Sequence, residues 1–289
     1  IIRNSLDTTG QGAHFDYYVL SDTSIPAIAA EEEALFSRWQ SNFPDAQRTH
    51  YRRRTQNDGF KAGNLRNFAE NWGAAYTLML PLDADSLMSG AEIVKLATIM
   101  QAHPRIGILQ SLVTGTPSQS AFARIFQFGM RHGMRSYTIG HAWWNGDCGP
   151  YWGHNALIRV APFVDHCALP KLPGSPPLGG WILSHDLIEA TLMRRAGFEV
   201  RVVPVEGESW EDNPPTLLDF TKRDLRWCQG NMQYWRLLTL PDILPLSRLH
   251  IMLGILMYLG SVAWMVMVAL FALKAFDSQS APPINLSLT

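Results

Sequence analysis

Leu80-Pro81-Leu82-Asp83-Ala84-Asp85-Ser86 closes an apolar run that begins at Tyr76, and it ends on two carboxylates one residue apart. Residues 76–82 read as a buried strand. Alternate side chains of an extended chain share a face, so the spacing points Asp83 and Asp85 the same way. Two hard oxygen donors at a strand's C-terminal edge suit a divalent cation that keeps several waters and binds a ligand's phosphates, as in a nucleotide-sugar diphosphate. The same Asp-x-Asp also serves as a turn or helix cap, so its surroundings decide between the two.

Those surroundings alternate strand and helix. Residues 15–20 read as a strand, and 29–40 as a helix whose first turn carries Glu31, Glu32 and Glu33, as the helix dipole prefers. Residues 49–53 form a short strand, Asn57-Asp58-Gly59 turns the chain, and a helix covers 62–72. Past the carboxylates, a helix over 89–101 halts before Pro104, and 106–113 is again a strand. This βαβα rhythm predicts a mostly parallel sheet covered by helices.

The second half is less regular. Phe122, Ile125, Phe126, Met130, Met134 and Tyr137 fall on one helical face, with Arg124, Arg131 and Arg135 elsewhere; such a stripe is a core face or a membrane-surface face. Residues 155–160 and 199–205 read as strands, and a helix over 184–196 stops at Gly197. The Pro/Gly stretch 169–180 is too long for a plain connector and reads as a functional loop.

The 289 residues can bury a sizeable core, and a net charge of −1 with pI near 6.8 argues against a nucleic-acid surface. Cys148, Cys167 and Cys228 lie far apart without metal-ligand spacing, which reads as reduced thiols in a cytosolic compartment. Residues 251–273 contain no Asp, Glu, Lys, Arg or His. As a helix they would run roughly 35 Å, enough for a hydrocarbon core of about 30 Å. Arg248 and His250 at one end, against Lys274 at the other, favour a cytoplasmic N-terminal side.

Four carboxylates stand at strand ends or helix starts: Asp22, Asp83, Asp85 and Asp186. Asp22 is placed to accept a hydrogen bond from a base or ribose, or to cap a turn; Asp186 opens a helix, where the dipole also favours an acid. Lys61 precedes Ala62-Gly63-Asn64 at a helix N-terminus, where phosphate binds readily. In Lys222-Arg223-Asp224-Leu225-Arg226-Trp227-Cys228-Gln229-Gly230, residues Arg223, Arg226, Trp227 and Gly230 share a helical face. Guanidinium groups beside an indole bind pyrophosphate and stack on sugar rings; the plain alternative is a solvated charged face with a core Trp.

In this order the segments resemble one family. Ser21-Asp22, Lys61-Ala-Gly-Asn64, Asp83-Ala-Asp-Ser86, Ser184-His-Asp186, the Arg195-x-Gly-Phe198 helix end and Arg226-Trp227 before a membrane helix look like the membrane-bound, processive family 2 glycosyltransferases, relatives of cellulose synthase. The Lys-Arg-Asp-x-Arg-Trp-Cys-Gln-Gly-Asn run and Trp152-Gly-His-Asn-Ala156 are similar to the bacterial branch that builds the β-linked glucose backbone of osmoregulated periplasmic glucans from UDP-glucose. The resemblance implies an α/β GT-A-type fold followed by a transmembrane helix. It implies that Asp22 contacts uridine, that Asp83 and Asp85 hold the diphosphate with Mg2+ or Mn2+, and that Asp186 is the base. Lys61, Arg223, Arg226 and Trp227 would line the diphosphate and acceptor region. Two departures stand out: Arg223 replaces the Gln of the cellulose synthase Gln-x-x-Arg-Trp, and Ser-His-Asp replaces Thr-Glu-Asp, which leaves Asp186 as the one carboxylate of the motif and the role of His185 open.

The expected organisation is a cytoplasmic GT-A domain over 1–236 (with the family's first nucleotide-binding strand missing), an interfacial connector over 237–248, a transmembrane helix over 249–274 and a tail over 275–289. The expected partners are UDP-glucose, a glucan acceptor, the membrane and a periplasmic glucan-handling protein, at the bacterial inner membrane. Synthesis of cellulose, chitin or a hyaluronan-like polymer is an alternative, as is a membrane-anchored nucleotide-sugar sensor in which Asp186 is dispensable. An Asp-based phosphatase would use the Asp83/Asp85 spacing but lacks its usual Lys and late acidic pair.

Overall fold

Hydroxyl side chains mark where several helices begin. Ser89, Ser120 and Thr216 each accept the backbone N–H three residues on, from Glu92, Ala123 and Asp219 at 3.1–3.2 Å, which satisfies donors that a helix start leaves open. The computed structural model describes residues 1–43 and 46–276; residues 277–289 of the expected tail lie outside them.

The chain runs α1 (Ile2–Thr8), β1 (Tyr17–Ser21), α2 (Pro26–Gln40), β2 (Thr49–Arg53), α3 (Phe60–Asn71), β3 (Leu78–Met79), β4 (Ser86–Met88), α4 (Gly90–Ala102) and β5 (Ile106–Gly115). It continues through α5 (Ala121–Asn145), β6 (Ala156–Arg159), α6 (Val160–His166), α7 (Asp186–Arg195), β7 (Glu199–Glu211), α8 (Leu217–Gln233) and α9 (Pro245–Phe276). β1 and β2 pair in parallel, and a five-stranded sheet has the order β3-β6-β5-β7-β4.

The α/β layering expected from the sequence is present, and the larger sheet is mixed. β5 and β7 pair in parallel, while β6 runs against β3 and β5, and β4 against β7. Three of the five strands therefore share a direction. The two reversed strands are short, and neither carries a residue pattern that reports direction. Two further details differ. Pro26 starts α2 earlier than expected, so Glu31, Glu32 and Glu33 fall beyond its first turn. The strand expected over 76–82 is paired only at Leu78–Met79.

β5 is buried along nearly its whole length and feeds two cores. Ile108 packs with Ile158, Val200, Ile188, Met193 and Phe163 on one face; Leu109 packs with Leu157, Leu96, Ile93 and Met88 on the other. A register shift between Ile106 and Ile108 returns Ile106 to the side of Leu109. Each such side chain contributes about 1.5–3 kcal/mol on burial.

The aromatic stripe of α5 is only partly core. Phe122 and Phe126 pack at a tilt against Phe220 of α8, whereas Ile125 and Tyr137 are exposed. α9 is a composite helix. Ile251 and Ile255 belong to the larger core with Tyr234 and Leu237, and the side chains from Leu259 to Lys274 are exposed. Residues 245–274 are long and apolar enough to cross a membrane, and only 6% of the most apolar window is buried, unlike a core helix. The helix starts at Pro245, inside the expected connector.

Candidate functional site

The link from β3 to β4 bends where the sequence predicted an extended edge. Ser86 N–H donates to the Asp83 carbonyl at 3.0 Å, so 83–86 is a turn and the two carboxylates are presented from it rather than from alternate strand positions. Burial pushes the Asp85 carboxyl above the ordinary aspartate range, its own backbone N–H pulls it back, and the charges of Asp83 and Glu211 push it up again. Asp83 is ion-paired with Lys61, which stands in the first turn of α3.

A buried polar network seats this turn. Asn155, with a left-handed backbone (φ 51°), donates its N–H to the Pro81 carbonyl at 2.9 Å and its side-chain amide to Ser209 Oγ at 2.8 Å. Ser111 Oγ donates to the Asn155 carbonyl at 2.7 Å. Beside it, His154 Nδ1 lies 3.2 Å from Ser86 Oγ, and Nε2 lies 3.2 Å from Glu211 Oε2. Burial works against a proton on His154, but its bonds to Glu211 and Asn155 outweigh this and raise its affinity.

Asp22 is held by a residue that the sequence reading passed over. Arg54 Nε donates to Asp22 Oδ1 at 2.7 Å and Nη2 to Oδ2 at 2.6 Å, a two-point fork. Arg54 also donates to the carbonyls of Asp58 and Phe60, and Asn57 Nδ2 donates to the Asp22 carbonyl at 2.5 Å. The turn read as Asn57-Asp58-Gly59 is thus tied to the end of β1. Arg54 directly follows β2, which gave no sign of a partner 32 residues upstream.

Asp186 is the first residue of α7. Gly153 (φ 84°) lies over it: a Cβ at 153 would sit 3.6 Å from Asp186 Cβ and 3.5 Å from His185 Cε1. Tyr151 is buried, its hydroxyl has no hydrogen-bond partner among the described residues, and burial raises it well above the usual phenol range, with Glu189, Asp186 and Asp83 adding in the same direction. Asp83 and Asp186, 103 positions apart, thus act on one phenol.

α8 closes the site opposite. Arg223 lies over Trp227, 4.6 Å from guanidinium carbon to ring centroid, with Nε buried and without a partner among the described residues. Burial lowers its proton affinity, and the charges of Glu211 and Asp85 restore part of it. Arg226 and Trp227 are exposed. Gly230 lets α8 pass against Ser184, because a Cβ there would lie 2.2 Å from Ser184 Oγ. Gln233 accepts from Leu183 N–H at 2.9 Å and donates to the carbonyl of Trp181 at 3.0 Å, tying the end of the 169–180 loop to the same helix.

The structure therefore pairs Lys61 with Asp83, brings Asp83 and Asp186 within electrostatic reach of Tyr151 and Asp85 within reach of Arg223, and places Asp22 with Arg54 at the end of β1. His154, Glu211, Tyr151 and Glu189 were not singled out. The only signal for His154 was the Trp152-Gly-His-Asn-Ala156 segment, and nothing in the sequence marked Glu211. The donor set suits a cation held by two carboxylates plus a ligand's phosphates: Asp83 and Asp85 crowd one turn, and burial with mutual repulsion disfavours the Asp85 charge until a cation offsets it.

The pattern for Glycosyl transferase family group 2 matches residues 78–276. Proteins named Glucans biosynthesis glucosyltransferase H are similar to this chain. That of Rhodopseudomonas palustris (strain BisA53) is 42% identical over 281 residues, covering 97% of this chain and 39% of the relative. That of Xylella fastidiosa (strain 9a5c) is 43% identical over 263 residues, covering 91% and 41%. The chain thus spans about two fifths of the length of these relatives. Among solved structures, S. aureus TarS 1-349 in complex with UDP-GlcNAc is 11% identical with a TM-score of 0.48, covering 84% of this chain and 63% of that one.

Proposed function

The chain belongs to glycosyl transferase family group 2, and from that premise we propose that it transfers glucose from UDP-glucose to the non-reducing end of a growing β-glucan, inverting the anomeric centre. The observation that carries the reading is that Lys61 pairs with Asp83, that Asp83 and Asp186 lie within electrostatic reach of Tyr151, and that Asp85 lies within reach of Arg223. The similarity to Glucans biosynthesis glucosyltransferase H supports glucose as the sugar and a periplasmic glucan as the product.

Asp22, braced by Arg54, accepts from the uridine. Lys61 and Arg223 offset diphosphate charge, Lys61 from a helix N-terminus and Arg223 with a buried Nε that has no partner among the described residues. Mg2+ or Mn2+ held by Asp83 and Asp85 would supply Lewis-acid stabilisation of the departing UDP. Asp186 accepts the proton of the acceptor hydroxyl as its oxygen bonds to the anomeric carbon and the bond to UDP breaks, a contribution typically worth about 10²–10⁴-fold. Trp227 offers a face for the acceptor sugar, with Arg226 beside it. α9 anchors the site at the bacterial inner membrane, with the catalytic domain on the cytoplasmic side.

The test is UDP release from membranes carrying the full chain, supplied with UDP-glucose and Mg2+, beside an Asp186→Asn variant. The variant is expected to bind UDP and turn over at least about 10²-fold slower. Equal release would place the base elsewhere, and binding without turnover in both proteins would favour a sensor.

A further inference from the structure

His185 occupies the middle of Ser184-His185-Asp186 and takes no part in the reaction just described. It is not a filler of apolar space. The side chain is 9% exposed and its Nδ1 lies 2.9 Å from Glu189 Oε2, one helical turn along α7; the Glu189 side chain is itself 1% exposed. A carboxylate that deep needs a cation or a proton, since an unpaired buried charge is strongly destabilising, and the ion partner it has among the described residues is His185. With Nδ1 turned to Glu189, Nε2 lies toward Gly153, where a Cβ would be 3.6 Å from Nε2 and 3.6 Å from Asp186 Cβ. The free edge of the imidazole and the Asp186 side chain border the same space.

We propose that His185 is a positioning residue, held by Glu189 as an imidazolium that sets a fixed positive charge beside the Asp186 carboxylate. The inference rests on the reading of Asp186 as the base. The groups acting on the ring are Glu189 and Asp186 from α7 and Lys61 from α3, with the Tyr151 phenol near both acids. Burial and Lys61 work against the imidazole proton, the two carboxylates outweigh them, and the proton affinity ends above the ordinary histidine value. A fixed cation at this position takes the place of a second acid, as in Thr-Glu-Asp, beside the base.

The experiment follows UDP release against pH by the full chain in membranes, for the wild type, Glu189→Gln, Glu189→Asp, His185→Gln and Asp186→Asn. A glutamine at 189 still accepts from Nδ1 but does not hold the ring charged. Without that charge beside the base, the acid limb of kcat moves to higher pH, with about a tenfold loss of kcat on that limb. KM for UDP-glucose stays within about twofold. Glu189→Asp recovers part of the shift, and His185→Gln moves the limb the same way. Acid limbs unmoved in both Glu189→Gln and His185→Gln, with Asp186→Asn inactive, overturn the positioning role and leave the base in place. An Asp186→Asn variant as active as wild type overturns both. Should the variants at 185 and 189 fail to fold, NMR of labelled histidines in the wild type decides: an imidazolium at His185 persisting at pH 7 is expected, and a neutral ring there overturns the proposal.

Discussion

Arg54 and Asp22 meet edge to edge, with Nε 2.7 Å from one carboxylate oxygen and Nη2 2.6 Å from the other, at the mouth where β1 and β2 both end. The guanidinium is 9% exposed and the carboxylate 25%, so the pair lies between a surface contact and a buried one. Removing one partner leaves the other partly desolvated and frees the 57–60 turn that Arg54 also holds. Arg54→Met is expected to lower unfolding free energy by about 2–3 kcal/mol, between the surface and buried limits. It is also expected to weaken UDP binding, while Arg54→Lys, with no fork, recovers only part of either. Urea unfolding and UDP titration check both.

Glycine-to-alanine changes on two helices have opposite expected signs. At Gly230 a Cβ would lie 2.2 Å from Ser184 Oγ and 2.7 Å from its backbone nitrogen, so α8 must move off the site. Gly230→Ala should destabilise by about 1–3 kcal/mol and depress turnover. Gly133, inside α5, has nothing within 4 Å of the same position. Gly133→Ala should stabilise by up to about 1 kcal/mol through helix propensity alone, with activity unchanged. Matched thermal melts compare the two.

Cation binding at the Asp83–Asp85 turn requires both carboxylates ionised, and Asp85 is raised from its ordinary value. Such a group loses its charge as pH falls through a value above 3.8, so apparent Mg2+ affinity should weaken on acidification sooner than ordinary carboxylates give. Chelation should abolish turnover, and Asp85→Asn should flatten the pH dependence of Mg2+ binding while lowering its affinity at neutral pH by about tenfold or more. Titration of Mg2+ at several pH values measures this.

Cysteine reactivity separates three thiols of one chain. Burial pushes the Cys167 thiol far above its usual range, and Cys148 is equally enclosed against Ser247 of α9. Cys228, on α8, is only half-buried. Since the thiolate is the reactive form, brief maleimide treatment of the native protein should label Cys228 first, as mapped by mass spectrometry. Prior labelling of Cys167 would contradict the burial described.

Local pattern carried much of this. β2 matched the 49–53 reading to the residue, and α4 and α7 lay within two residues of expectation. What escaped was pairwise and long-range. The direction of β4 and β6 depends on their partners, and three- and four-residue strands have no periodicity that reveals those partners. The turn at 83–86 followed from Asn155, 74 positions downstream, capturing the Pro81 carbonyl. Arg54 and Glu211 escaped because their partners, Asp22 and His154, are distant in sequence, whereas Glu189 stands one helical turn from His185, a spacing that could have found the pair.

α9 has a mechanical consequence. Its early turns are bolted into the core through Ile251 and Ile255, and the same helix continues unbroken through its exposed apolar length. Asn231 packs against Gly254, and Tyr258 donates to Asp224 at 3.1 Å, so the shaft also grips α8, which carries Arg223 and Trp227. The described residues offer no swivel between anchor and active site. On the proposed function, the tilt that α9 adopts in a bilayer to match lipid thickness is carried to α8 with its Arg223 and Trp227, and the thickness of the surrounding membrane becomes an input to where those side chains are presented.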